Sequence, residues 1–290
     1  MSRTRVAASI RKAKSRATPV MAPPLTDRAG FTKKTLPFIV KASRQKRGDW
    51  LERNRPEYLS EVVGPLQAIA RHLKKELGRA AVGYHFPQRG LGRLKRSADS
   101  AARYGAAFRD YLSYTARRPS ASRFDHNPSI FLMVYPEDGE GDEVLLAGGL
   151  YLPSSRQLKS IRQAIAADAK PFERLFKSAA FSARFPGGFS AERKSKRPPR
   201  GFDPNHPKIE WLKHQGYFVW RSYRKREYLS AEFGDLLVRD ALQILRLNSL
   251  LDQAIAGRWV SEESPRTKPA RILESLESIE VTTGPRPMDF

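Results

Sequence analysis

Apolar residues recur at helical spacing early in the chain and change to strand-like runs in its middle. Leu36, Ile39 and Val40 make a short apolar face, and Trp50-Leu51 follows a basic turn at 41–49. Val62, Leu66, Ile69, Leu73 and Leu77 then repeat every three or four residues, which predicts helix over much of 31–77. Pro56 suits a first helical turn, Gly64-Pro65 should kink or divide the pattern, and Gly78 is a natural stop. Residues 78–104, rich in glycine and basic side chains and weak in period, predict loop.

The block 108–165 opens with Arg109-Asp110, taken as part of a strand. It then carries the apolar runs SIFLMVY (129–135) and VLLAGGLYL (144–152) and a helix start at Pro153-Ser154-Ser155. Pro171 opens a short helix, 185–207 is a Pro/Gly-punctuated connection, and YFVWRSY (217–223) reads as a strand. A long helix is expected from about Ala231 to Ala256, with Ser230 as its cap. Helices, close-set strands, then helices define an α+β fold: one domain over 31–257 whose mainly antiparallel central sheet is flanked by N-terminal and C-terminal helices. Residues 1–30 are expected to be a disordered basic arm. Residues 258–290 are expected to be a loose tail with a short amphipathic helix near 270–280.

Charge adds a preference for partners. The 290 residues hold 53 Lys and Arg against 30 Asp and Glu, a net charge of +23, and 41 against 23 remain over 31–257. The excess therefore belongs to the folded part, and such a field attracts nucleic acid or another polyanion. A basic surface kept for solubility is the plainer alternative. The chain has no cysteine, which excludes disulfides and thiolate chemistry. No apolar run reaches the length of a membrane span, so the chain reads as soluble and cytoplasmic. In a eukaryotic source the arm would also fit a transit peptide.

Three stretches, FIVKASRQKRGDWLERNRPEYLSEVVGPL (38–66), AGGLYLPSSRQLKSIRQAI (147–165) and RPPRGFDPNHPKIEWLKHQGYFV (197–219), resemble in order and spacing the bacterial and fungal family of domain of unknown function 2461. The resemblance implies a single α+β domain and supplies no reaction. It covers about 31–257 and has one departure. The family pattern runs from Arg-Asp through a charged stretch to Pro-Tyr-Lys. Here Arg109, Asp110 and Pro119 keep their places, but Leu112, Ser113, Tyr114, Thr115 and Ala116 replace most of the charges.

Candidate chemistry follows from residue types and spacing. Arg109 and Asp110 could supply an anion clamp and a general base, or one ion pair at the core's edge. Asp203 three residues before His206 could orient an imidazole for acid–base work, or cap a turn. Gly148, Gly149, Tyr151, Ser154 and Ser155 make a strand-to-helix turn whose free N–H groups suit a phosphate, with Arg162 on the helix and Arg200 nearby. A tight turn with an ordinary cap explains the same residues. Neither a Gly-Lys-Ser/Thr loop nor a nucleophile elbow occurs, and His85, His126 and His214 lack metal-ligand spacing, so no cofactor or metal is expected. Three functions remain: a basic module binding a phosphate-bearing ligand or nucleic acid; a hydrolase acting on an anionic substrate through Arg109, Asp110, Asp203 and His206; and a partner-binding structural protein.

Overall fold

Four strands form one antiparallel sheet in the order β1-β2-β3-β4: β1 Leu112–Arg117, β2 Ser129–Val134, β3 Val144–Leu150 and β4 Tyr217–Tyr223. This computed structural model describes residues 29–120, 125–136 and 144–259. Most of the basic arm and the helix expected near 270–280 lie outside the described residues. The register aligns Thr115, Phe131, Ala147 and Trp220 in one row, and Ser113, Met133, Leu145 and Ser222 in the next.

Six helices of seven residues or more surround the sheet among the described residues. They are α1 Thr35–Ser43, α2 Gly64–Leu77, α3 Ala98–Tyr104, α4 Ser155–Ala167, α5 Lys170–Lys177 and α6 Phe233–Ile255. The early helical pattern divides at Gly64: a π-helical turn at Leu59–Val63 ends there and Pro65 sits in the first turn of α2. Helix α3 lies where loop was expected. Ser97 caps it, accepting from Ser100 N at 3.3 Å, and none of its residues is buried, so no apolar period marks it. Helix α6 starts at Phe233 without a side-chain cap. Ser230, the expected cap, instead closes the preceding turn through its N–H to Glu227 O.

The core lies between the sheet and α6. Leu112, Tyr114, Ala116, Ile130, Leu132, Val134, Val144, Leu146, Leu150, Val219 and Tyr223 are buried on one sheet face. Against them α6 sets Phe233, Leu237, Ala241, Ile244, Leu247 and Leu251, all fully buried. Each large apolar side chain so enclosed contributes about 1.5–3 kcal/mol relative to exposure. The helix comes closest at Gly148, where an added Cβ would stand 1.9 Å from Ile244 Cγ2. Gly149 has φ +111°, and a Cβ there would stand 2.3 Å from Tyr217 O. One glycine admits the helix and the other admits β4.

Candidate functional site

Among the described residues no helix covers the sheet's second face as α6 covers the first. Ser113, Thr115, Phe131, Met133, Leu145, Ala147 and Ser222 are half-buried there, and Trp220 is 44% exposed. Phe131 and Trp220 flank the small Ala147 in the same row. Basic residues flank β4 in the chain: Lys196, Arg197 and Arg200 are exposed before it, with Lys194 paired to Glu210 at 2.9 Å, and Arg224, Lys225 and Arg226 are exposed directly after it. The strand between them, seven residues long, itself spans about 20 Å. The other aromatics interleaved with these charges are less available: Phe202 and Trp211 are half-buried and Tyr223 is fully buried.

Beside β4 a cleft of about 690 Å³ opens between Trp220–Ser222 and the loop from Arg184 to Glu192. Behind it lies Asp240, a carboxylate with no exposed surface. Arg184 Nε reaches Asp240 Oδ1 at 3.2 Å, Arg221 reaches Oδ2 at 3.1 Å, and Tyr223 donates its hydroxyl to Oδ2 at 2.7 Å. Arg221 also pairs with Glu227 at 3.1 Å. Burial lifts the Asp240 carboxyl above its ordinary range, against the pull of Tyr223, Arg221 and Arg184. Asp240 and Arg184 carried no local sequence signal. An aspartate inside an otherwise apolar helical face is the feature that could have pointed to them.

The strand-to-helix turn is built as a capped start. Ser154 Oγ accepts from Gln157 N, and the Gln157 side chain returns to Ser154 N at 2.9 Å. The negative group at this helix start is the protein's own Asp125: Ser154 donates its hydroxyl to Asp125 Oδ1 at 2.7 Å, and Arg156 pairs with Oδ2. The bond from Ser154 and the Arg156 charge hold the Asp125 carboxyl below its usual range. Ser155 is exposed beside them. Tyr151 donates to Glu192 Oε1 at 2.8 Å and lies beneath the Arg193 guanidinium at 5.1 Å. Arg162 donates to His214 O at 2.9 Å, and Arg200 is exposed.

The proposed acid–base residues do not assemble. Arg109 and Asp110 precede β1 rather than lying in it, because Arg109 N is drawn to Leu94 O at 2.8 Å. Asp110 is 3.8 Å from Arg96. Asp203 caps its turn by accepting from Asn205 N at 2.8 Å. His206 donates from Nε2 to Ala166 O at 3.3 Å and accepts from Lys208 N at Nδ1, which engages both ring nitrogens. Among the described residues no contact joins Arg109 or Asp110 to Asp203 or His206. No group of three or more His, Cys, Asp or Glu among them could hold a metal.

His214, packed by Phe189 and Tyr217 and 3% exposed, is the buried titratable ring near this region. Burial, with Lys194 adding to it, holds the ring down at about 4, below its usual 6.5. The folded state therefore takes up this proton less readily than the unfolded chain. The stability tied to a neutral ring is complete above about pH 6.5 and is lost as the pH falls toward 4. A loss on the order of 3 kcal/mol is expected across that window. Urea midpoints at pH 7.5 and pH 4.5 should differ for the native chain and differ much less for His214→Gln. Glu210, held to about 2 by Lys213 and Lys194, responds only at lower pH, below its usual 4.5.

The four-stranded antiparallel sheet with α6 on one face, Phe131 and Trp220 on the other and a cleft at its edge make this an α+β domain. The family model of a conserved hypothetical protein, domain of unknown function 2461, matches residues 34–249, and the chain belongs to that family. Searches of curated proteins and of solved structures found no match. No helix among the described residues is long and apolar enough to cross a membrane. The stretch that departs from the family's charged run is β1, whose Leu112, Tyr114 and Ala116 are buried in the core.

Proposed function

We propose that the protein is a basic binding module for a phosphate-bearing ligand, with single-stranded nucleic acid as the ligand its open sheet face fits best. The observation that carries this reading is Trp220, exposed in one row with Phe131 on a face that no described helix covers. Flat rings on a sheet accept stacked bases whatever their identity, and cations at the strand's two ends take the phosphates. The clusters Lys194–Arg200 and Arg224–Arg226 flank β4 in the chain, and the strand's seven residues span about 20 Å, the length of a few nucleotides.

Fluorescence anisotropy with a labelled twelve-nucleotide oligothymidylate tests it. Trp220→Ala should weaken binding by about tenfold or more, since a base stacked on an aromatic ring contributes about 1–3 kcal/mol. Affinity should fall steeply with salt, log K dropping by about 0.7 per phosphate contacted for each tenfold rise. Salt-independent binding, or full affinity in the Trp220→Ala variant, would remove the reading.

A further inference from the structure

Strand β4 offers a second feature that base stacking does not use, its main-chain edge. The segment 190–195 already pairs along the start of this strand. Ser190 N donates to Phe218 O at 2.8 Å, Gln215 N to Arg193 O at 2.7 Å, and Ser195 N to Lys213 O at 2.9 Å. Before residue 190 the chain swings away, and the cleft opens between the 184–189 loop and residues 220–222. Phe218 turns its carbonyl to this side, and strand alternation gives Trp220 and Ser222 the same direction. Their two N–H and two C=O groups have no partner on that side among the described residues.

We propose that an extended peptide with a free carboxylate adds to this edge as a fifth strand, lying in the cleft with its carboxylate on Arg184. Three observations select this occupant. The unpaired edge groups continue a ladder that 190–195 has begun, and an added strand satisfies both its own and the edge's polar groups. At about 690 Å³ the cleft has the volume of a single-ligand site, which suits one extended peptide. Arg184 lines the cleft with Nε 3.2 Å from Asp240 Oδ1, and its two terminal amino groups have no partner among the described residues, which leaves them for a bidentate carboxylate. Gly187 sets the opposite wall back, because a Cβ there would meet nothing within 4 Å.

This proposal uses the main-chain edge of β4 and the nucleic-acid reading uses the rings on the sheet face; Trp220 belongs to both, and Phe131 to the face alone. The test is fluorescence polarisation on the full chain with a labelled six-residue Thr-Val repeat, prepared as the free acid and as the C-terminal amide. The free acid should bind saturably and the amide about tenfold more weakly, the scale of a charge-assisted pair. Gly187→Trp fills open space, so it should keep a native circular dichroism spectrum and abolish peptide binding. Arg184→Gln should reduce the acid to the affinity of the amide. Phe131→Ala should weaken the oligonucleotide and spare the peptide. Lack of saturable binding of the acid at millimolar concentration, equal affinity of acid and amide, or undiminished binding by Gly187→Trp would each overturn the proposal.

Discussion

Asp240→Ala is expected to cost about 2–4 kcal/mol of stability, because it removes the buried carboxylate that Arg184, Arg221 and Tyr223 share and leaves two half-buried guanidinium groups without it. Arg221 would keep Glu227, whereas Arg184 would keep no anionic partner that the geometry supplies. Urea unfolding should show a lower midpoint with an unchanged slope, the signature of lost stability without a change in the surface exposed. Asp240→Asn, which preserves volume and can still accept from Tyr223, should fall between the native chain and the alanine variant. An alanine variant within about 1 kcal/mol of the native chain would mean that the cluster is solvated and contributes little, as exposed ion pairs do.

Gly148→Ala is expected to be nearly as damaging. Its new Cβ would overlap Ile244 Cγ2 at 1.9 Å and approach Ile244 Cβ and Cγ1 at 2.8 Å, so α6 must lift from β3 or Ile244 must leave its rotamer. Overpacking of this kind costs about 1–3 kcal/mol and more where neither partner can yield. The diagnostic is a double-mutant cycle: Gly148→Ala with Ile244→Ala should be less destabilised than the sum of the single changes. Strict additivity would mean that the helix does not seat on that glycine.

These positions show where sequence reasoning reaches and where it stops. Strands β2, β3 and β4 stand out because their apolar runs are bounded by polar or turn residues. YFVWRSY occupies 217–223, the whole of β4. Helix α6 was legible within two residues at its start and one at its end, since its apolar face repeats over six turns. Helix α3 was not, because a helix that buries nothing leaves no period. The glycine pair was visible as a pair, but its purpose depended on which element crossed β3, which only the tertiary fold decides. The same holds for Asp125, which reaches the cap of α4 from 29 residues away in sequence. Arg184, Arg221 and Asp240 come from three separate elements, so their meeting had no local spacing to betray it.

One consequence of the strand order concerns time. Strands β2 and β3 are joined by the nine residues 135–143, whereas β4 reaches β3 only after the sixty-six residues 151–216 have been gathered in. Closing the longer loop costs roughly 2 kcal/mol more chain entropy. The first three strands can therefore pair early, with β4 docking last. Trp220, the clefted edge and the second half of the Arg221–Asp240 cluster come into being in that final step. The surface proposed to bind is thus expected to form late in folding, and a partner that held β4 in place would also hold the domain's last-formed contacts.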